Sequence, residues 1–161
     1  MKFVRPGFVP ERVSVVGLGK LGVPLVAVLA TKGFQVIGVD ERSYPVEMIN
    51  ASVSPVEEPH VQSLIEKNHS RIRAVADISE AVRGTDVTFV VVPTPSSSTG
   101  EFSNDAVFKV ARELGSALKH KSSHICVLVS TVMPGSTSLF WALSEQIRLL
   151  CQNVRTRFRG H

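Results

Sequence analysis

A glycine-rich turn near the start of the chain, placed directly after a short apolar run, is the feature that most limits how this sequence can fold. Residues 15–22 read VVGLGKLG, with glycines at positions 17, 19 and 22. The β-branched run before the turn predicts a strand at Arg12–Val16, and the apolar residues from 18 to 31 are distributed as on a buried helix. Gly33 then provides a helix stop. A strand, a glycine turn and a buried helix in this order are the first part of a βαβ unit.

The alternation of strands and helices continues along the rest of the chain. A second strand is predicted at 34–39, and Ser43 with Pro45 predicts a helix start in cap and first-turn positions. Strands alternating with helices of about a dozen residues predict one α/β domain with a doubly wound parallel sheet. The remaining predicted strands are 71–75, 86–92 and 125–129; the remaining helices are 59–67, 77–83 with Asp77 as its cap, 105–118 and 136–150; and 96–100 is a predicted loop.

Each glycine of the turn has a separate predicted task in dinucleotide binding. Gly17 allows the tight turn out of the first strand, Gly19 lets backbone N–H groups approach a pyrophosphate, and Gly22 permits close helix packing. The helix N-terminus adds partial positive charge. Asp40 ends the second strand, where its carboxylate can accept hydrogen bonds from both hydroxyls of an adenine ribose and would repel a 2′-phosphate. NAD is therefore favoured over NADP, although Arg42 just past that acid could instead serve a phosphate.

Two hydroxyl-bearing turns follow strands near the point where the winding of the sheet should reverse. The strand at 86–92 leads into VPTP, which contains Pro93 and Thr94, and the strand at 125–129 leads into STVMPG, which contains Ser130 and Thr131. Ligands of doubly wound sheets bind across the carboxyl ends of the strands at this point. The two turns are thus expected beside the nicotinamide, although threonine and proline are also common turn residues.

Lys20 lies between the second and third glycines and invites a different interpretation. No G-K-[ST] follows at the spacing of a P-loop, so Lys20 is not a P-loop lysine. Its backbone N–H contributes to the turn as that of any residue would. Its side chain is expected to be solvated or to cover the mouth of the site. Glu57 and Glu58, ahead of Pro59, are expected to complement a helix N-terminus.

The charge distribution argues against nucleic acid as a partner. The net charge of +4 arises at the end of the chain, where no acid follows Glu145 and four of the 18 Lys and Arg residues occur, at positions 148, 155, 157 and 159. The rest of the chain is neutral and shows no basic stripe with interleaved aromatic residues.

Cysteine usage and hydropathy favour a cytoplasmic protein without a metal site. Cys126 and Cys151 form no C-x-x-C motif and have no histidine at ligand spacing, which predicts no metal and a reducing compartment. The N-terminal MKFVRPGFVPER lacks the apolar core of a signal peptide. Lys20, Pro24 and three glycines interrupt the most apolar window, 13–30, so no association with a membrane is expected.

Five motifs together resemble one known family. VSVVGLGKLGVPL, VIGVDER, EEPH, DVTFVVVPTP and STVMPGST occur in the order and spacing of the NAD-binding domain of the UDP-glucose/GDP-mannose dehydrogenase family. The likeness covers roughly residues 12–137, and VPTP followed by STVxPG is more specific than the glycine pattern. The resemblance implies a Rossmann-type fold. It also implies an oxidoreductase that converts the C6 alcohol of a UDP- or GDP-linked hexose to a carboxylate with two NAD molecules.

The resemblance further implies roles for individual residues. The glycine turn would line the pyrophosphate, Asp40 would hold the adenosine ribose, and Thr131 would lie near the nicotinamide and the reacting carbon as the candidate catalytic residue. Many members carry a lysine where Pro45 stands, so one adenosine contact is expected to be either missing or taken over by Arg42. The predicted cofactor-binding residues are Gly17, Gly19, Lys20, Leu21, Gly22, Asp40, Arg42, Pro93, Thr94, Ser130 and Thr131.

The resemblance also predicts how the chain divides. Residues 1–137 are expected to form the NAD-binding domain, and 138–161 a terminal helix and basic tail outside the family pattern. The family's central domain, with its catalytic lysine and nucleophilic cysteine, and its nucleotide-sugar-binding domain are expected to be absent, so that neither turnover nor oligomerisation occurs without them. Nucleotide sugar is then a partner only if those domains are supplied. The alternative function is a non-catalytic dinucleotide-binding module in regulation or interaction. Which sugar is oxidised does not follow from the sequence.

Overall fold

A five-stranded parallel sheet forms the centre of the protein. The computed structural model describes residues 9–95, 103–119, 121–132 and 134–143. The sheet winds outwards from β1 in both directions and each neighbouring pair is parallel, which confirms the predicted doubly wound α/β fold. The strands are β1 (Arg12–Val16), β2 (Gln35–Val39), β3 (Ile72–Val75), β4 (Val87–Val90) and β5 (Ile125–Leu128), in the spatial order β3-β2-β1-β4-β5.

Helices cover both faces of the sheet. One apolar cluster joins the strands to the first three helices, and a second cluster joins them to the last three. Because successive strand side chains point to opposite faces, Val15 belongs to the first cluster and Val16 to the second. The helices are α1 (Gly22–Thr31), α2 (Ser43–Asn50), α3 (Val61–Lys67), α4 (Ile78–Arg83), α5 (Asp105–Leu118) and α6 (Ser136–Leu143), with a short 3-10 helix at His69–Arg71.

The first helix begins later than the apolar pattern predicts. It starts at Gly22 rather than at residue 18, because residues 17–21 form a separate turn. The Leu18 N–H in this turn donates to the Asp40 carboxylate at 2.9 Å. The start of α2 also differs in detail, since Ser43 is its first helical residue and Arg42 is its N-cap, without a side-chain cap bond.

The strand β4 ends before the predicted position. The Val91 N–H still donates to the Val16 carbonyl at 2.8 Å, but the Val92 N–H donates instead to the Ser130 hydroxyl at 3.0 Å. Regular pairing therefore stops at Val90, and the next residues turn into the loop that carries the VPTP motif.

Other local predictions agree closely with the structure. Gly33 ends α1 with a φ of 98°, and Asp77 caps α4 by accepting the Ser79 N–H at 2.8 Å. The predicted loop 96–100 and the predicted helical residues 144–150 lie outside the described residues. In the described part of the chain no helix has the length and apolar character needed to cross a membrane.

Candidate functional site

The carboxyl ends of the strands open into a cleft of about 800 Å³, within the usual size range of small-ligand sites. It lies at the junction of β1 and β4, where the winding of the sheet reverses. Gly22 is the only predicted cofactor-binding residue that does not line this cleft. The lining residues from that set are Gly17, Gly19, Lys20, Leu21, Asp40, Arg42, Pro93, Thr94, Ser130 and Thr131.

Two of the three glycines are required by the packing of the turn itself. Gly17 has a φ of 102°, and a Cβ on it would lie 2.4 Å from the Val91 carbonyl oxygen. A Cβ on Gly22 would lie 1.7 Å from the carbonyl oxygen of Gly17, so this glycine lets α1 begin directly against the turn. Neither residue can be replaced without moving backbone.

Gly19 differs from its two neighbours in the motif. A Cβ on it would have no protein atom outside its immediate chain neighbours within 4 Å, and the residue lines the cleft. Nothing in the described protein thus requires a glycine at this position. The open space matches the approach of a ligand to the backbone N–H groups, as the motif predicts for a pyrophosphate.

The amino end of α1 is suited to a negatively charged group. Leu21 at the N-cap provides no side-chain cap, and no acidic residue occurs in the first turn. The first helical bond runs from the Val23 N–H to the Gly19 carbonyl at 3.0 Å. Of the residues just before Val23, Gly19, Lys20 and Leu21 line the cleft. The uncapped N–H groups and the helix dipole together favour an anion here.

Asp40 ties the end of β2 to the glycine turn. Its side chain is 7% exposed, and its carboxylate accepts the Leu18 N–H, the Arg42 N–H at 3.0 Å and the Arg42 guanidinium through Nε and Nη2 at 2.9 and 3.0 Å. Burial alone would raise the pKa of Asp40, but the hydrogen bonds from Arg42 and Leu18 outweigh it and hold this pKa below its usual value of 3.8. Asp40 is therefore ionised at neutral pH.

On the opposite side of β1, the ends of β4 and β5 are joined through Ser130. Its hydroxyl donates to the Val92 carbonyl at 2.7 Å and accepts the Val92 N–H at 3.0 Å. Ser130 thus holds the two turns together, while Thr94 is half-buried and Thr131 is exposed at the cleft. The structure places both predicted turns at one end of the same cleft, with Asp40 at the other.

Sequence reasoning missed two groups of residues in this cleft. Ala76 and Ile78, which flank the start of α4, provide an apolar wall near Asp40. Lys109 on α5 lies 2.5 Å from the Glu41 carboxylate and so links α5 to the β2–α2 turn; the contact raises the pKa of Lys109. Both partners of this ion pair are exposed, so it adds little to stability. No local motif marks these residues, because only the arrangement of the helices brings them to the cleft.

The fold and the cleft define a class of protein. A doubly wound sheet that gathers a glycine turn, an uncapped helix start and a buried acid at the end of the second strand is a dinucleotide-binding domain of the Rossmann type. Residues 11–154 match the family described as UDP-glucose/GDP-mannose dehydrogenase family, NAD binding domain. The chain belongs to this family, and its cofactor is NAD.

Individual relatives agree with this assignment. The chain is 37% identical over 130 residues to the GDP-mannose 6-dehydrogenase of Pseudomonas syringae pv. syringae, which covers 79% of this chain and 30% of the relative. It is 36% identical over 126 residues to a UDP-glucose 6-dehydrogenase of Haloferax volcanii, covering 77% and 29%. A crystal structure of a ternary complex of GDP-mannose dehydrogenase from Pseudomonas aeruginosa superposes with a TM-score of 0.81 at 36% identity, covering 83% and 32%. The chain thus spans about 30% of the length of the curated relatives it matches.

Proposed function

We propose that this chain is the cofactor-binding part of an NAD-dependent nucleotide-sugar 6-dehydrogenase, and that NAD lies in the cleft between the glycine turn and the ends of β4 and β5. The observation that carries the proposal is Gly19, which leaves an open space on the cleft and is not required by packing against any of the described residues. A phosphate that approaches the backbone there supplies the reason for the glycine.

The chemistry of the lining residues fits NAD along the whole length of the cleft. The uncapped start of α1 suits the pyrophosphate, and the ionised Asp40 suits the adenosine ribose. Ala76 and Ile78 would contact the adenine, while Pro93 and Thr94 would border the nicotinamide ribose. A cleft of about 800 Å³ accommodates a ligand of this size.

In the proposed mechanism the residues of this chain bind and orient the cofactor, and NAD, when bound, would supply the hydride acceptor for oxidation of the substrate. The Ser130 hydroxyl fixes the separation between the ends of β4 and β5, which sets where Thr131 stands. Thr131 is the described residue that we assign to the nicotinamide side and to the reacting carbon. Holding the nicotinamide ring in one orientation lowers the entropic part of the barrier to hydride transfer.

The substrate that we propose is a UDP- or GDP-linked hexose, oxidised at C6. Relatives named for GDP-mannose and for UDP-glucose are 37% and 36% identical to the chain, so the cofactor domain does not distinguish the two. Since the chain spans about 30% of those relatives, we expect the 161 residues alone to bind NAD without oxidising nucleotide sugar. The same behaviour is expected of a non-catalytic module, and the family match favours the dehydrogenase.

Titration of the purified chain with NAD tests the proposal. Replacing Asp40 by alanine removes a charged acceptor for the ribose hydroxyls, and we expect binding to weaken by about 1–3 kcal/mol. Asp40→Asn is the paired variant, because it retains an acceptor for the Leu18 N–H and separates ribose contact from the integrity of the turn. Absence of NAD binding by the unaltered chain at millimolar NAD would contradict the proposal. If both variants bind NAD as tightly as the unaltered chain does, Asp40 does not contact the cofactor.

Turnover is measured separately, as the NADH absorbance formed with GDP-mannose or UDP-glucose. We expect none from the 161 residues alone. NADH formation with either sugar would show that this chain already contains the groups needed for the reaction.

A further inference from the structure

The hydrogen-bonding capacity of the Asp40 carboxylate is filled within the protein. An ionised carboxylate offers about four acceptor sites. Asp40 receives four N–H donors, one from Leu18 and three from Arg42, of which two belong to the guanidinium. A ribose that binds Asp40 through its hydroxyls must therefore displace at least one of the guanidinium bonds. This conclusion rests on the proposed position of NAD.

Arg42 can make that movement without disturbing the core. Its side chain is 65% exposed, and its backbone N–H bond to Asp40 does not depend on where the guanidinium lies. Another cation that lines the cleft, Lys109, is paired with Glu41, the residue between Asp40 and Arg42. Among the described residues, Arg42 is the cation that contacts Asp40 directly, so it stays beside the ribose when the guanidinium bonds are released.

The pairing also changes how this end of the cleft responds to a phosphate. A lone carboxylate at the end of β2 repels a 2′-phosphate on the adenosine ribose, which is the usual basis for preferring NAD. Here the charge of that carboxylate is offset by a guanidinium at 2.9 Å, whose planar fork matches a phosphate as well as it matches a carboxylate.

We propose that Arg42 is a specificity-determining residue that lets this site bind adenosine dinucleotides carrying a 2′-phosphate, as in NADP, in addition to NAD. With NAD, the guanidinium competes with the ribose hydroxyls for Asp40. With NADP, the same guanidinium binds the added phosphate and reduces its repulsion by Asp40.

Removal of the Arg42 side chain should therefore weaken the binding of NADP without weakening the binding of NAD. In Arg42→Ala the carboxylate is free for the ribose, so NAD binds equally well or more tightly, by up to about fivefold. NADP loses its countercharge and meets an unshielded carboxylate, so its Kd rises about tenfold or more, on the scale of one charge-assisted contact. A general loss of positive charge would weaken both ligands together.

The experiment is calorimetric titration of the 161-residue chain with NAD and with NADP, repeated for Arg42→Ala and for Arg73→Ala. Arg73 is the matched control, since it is also an exposed arginine in a 2.7 Å ion pair, with Glu80, and does not line the cleft. We expect the two Kd values of the unaltered chain to lie within about tenfold of each other. Of the two variants, only Arg42→Ala should raise the ratio of the Kd for NADP to the Kd for NAD.

Three results would overturn the inference. The first is a Kd for NADP that is more than about a hundredfold higher than the Kd for NAD in the unaltered chain. The second is a ratio of these two Kd values that does not change in Arg42→Ala. The third is a change of this ratio in Arg73→Ala that equals the change in Arg42→Ala. In each of these cases NAD still binds and the proposed function stands. Failure of the unaltered chain to bind either ligand overturns the proposed function and this inference together.

Discussion

At the scale of single residues, the three glycines of one motif serve different purposes. Gly17 and Gly22 are needed because backbone occupies the space of a Cβ, whereas the corresponding space at Gly19 is open. The sequence pattern predicts all three together. The structure separates the two glycines that build the turn from the one that leaves an open space at the cleft.

Alanine substitutions at Gly19 and Gly22 should therefore have contrasting effects. Gly19→Ala is expected to change the free energy of unfolding by less than about 1 kcal/mol, since the methyl group meets open space. It should raise the Kd for NAD about tenfold or more, because the methyl group occupies the approach to the backbone. Gly22→Ala should cost at least about 3 kcal/mol or prevent folding, as its Cβ would overlap the Gly17 carbonyl.

Urea denaturation and NAD titration of both variants check this contrast. A destabilised Gly19→Ala would show that this glycine serves the fold. Unchanged NAD binding by the same variant would place the pyrophosphate elsewhere.

A second residue-scale feature lies at the opposite end of the sheet from the cleft. Ser14 on β1 and Thr88 on β4 are buried and joined at 2.7 Å, and Thr88 lies 2.8 Å from Nε2 of His124. The Lys121 ammonium lies 3.3 Å from Nδ1 of the same ring. An ammonium can only donate, so this contact favours the neutral ring with its proton on Nε2. The network satisfies the polar groups of strands that are otherwise apolar.

This network predicts a loss of stability in mild acid. Burial, followed by the charge of Lys121, lowers the pKa of His124 from its usual 6.5 to about 4. The unfolded chain therefore binds a proton that the folded chain does not, between these two pH values. The contribution of neutral His124 to the free energy of unfolding is complete above pH 6.5. It is lost as the pH falls towards 4, and the loss amounts to up to about 3 kcal/mol. Urea denaturation at several pH values measures the slope.

The control for this prediction is a pair of glutamine variants. His124→Gln should flatten the slope between pH 6.5 and 4, whatever its effect at neutral pH. His69→Gln is the matched change at an exposed histidine, whose Nδ1 lies 2.9 Å from the Glu66 carbonyl oxygen, and it should leave the slope as it is. Equal slopes in all three proteins would mean that another group causes the acid sensitivity.

At the scale of elements, the cleft depends on how the ends of β4 and β5 are joined. The adjacent residues Ser130 and Thr131 both carry a hydroxyl group, so the sequence does not distinguish them. In the structure the Ser130 hydroxyl is hydrogen-bonded to the Val92 backbone, whereas Thr131 lines the cleft. The sequence predicted a shared role in cofactor binding for the two. The structure shows that Ser130 has a positioning contact that no motif reveals.

Alanine variants of these neighbours should separate the two roles. Ser130→Ala removes the partner of the Val92 N–H and carbonyl, so we expect a loss of about 1–3 kcal/mol in the free energy of unfolding. Thr131→Ala should leave the unfolding free energy within about 0.5 kcal/mol, as expected for an exposed side chain. Its effect should appear as weaker NAD binding, measured by titration. Equal stabilities of the two variants would show that the contact between Ser130 and Val92 adds nothing.

Sequence reasoning at this scale succeeded where the signal was local. The amphipathic pattern located α5 at Asp105–Leu118 without error, and Asp77 correctly predicted the cap of α4. It misplaced the start of α1 because apolar residues of the turn, such as Leu18, are buried like those of a helix. The burial of Leu18 depends on β2, where Gly38 leaves room for its side chain, and periodicity cannot register such a contact.

At the scale of the whole molecule, the topology followed from the order of the elements and the right-handed crossover rule. The switch-point rule then located the cleft correctly at the ends of β1 and β4. It could not predict the pairs Asp40–Arg42 and Lys109–Glu41, because side-chain geometry decides them. The hydrogen bonds that Asp40 makes within the protein could therefore be learned only from the structure.

The extent of the folding unit at its carboxyl end can be tested by truncation. The domain was predicted to end at residue 137, but that cut would divide α6 and remove Phe140, which is 0% exposed in the core and contacts Trp141 edge-to-face at 4.8 Å. We expect a chain of residues 1–137 to lose about 3–5 kcal/mol, as when a buried phenylalanine is deleted. Residues 1–143 retain Phe140 and every described residue of the cleft.

The chain of residues 1–143 should therefore bind NAD as tightly as all 161 residues, which would make the basic tail dispensable for the cofactor. Urea denaturation of both truncated chains and NAD titration of the longer one decide the matter. The variant Phe140→Ala in the 161-residue chain is the matched control, since it removes the core contacts of Phe140 without shortening the chain. If it is as stable as the parent chain, α6 does not belong to the folding unit, and the boundary at residue 137 is the correct one.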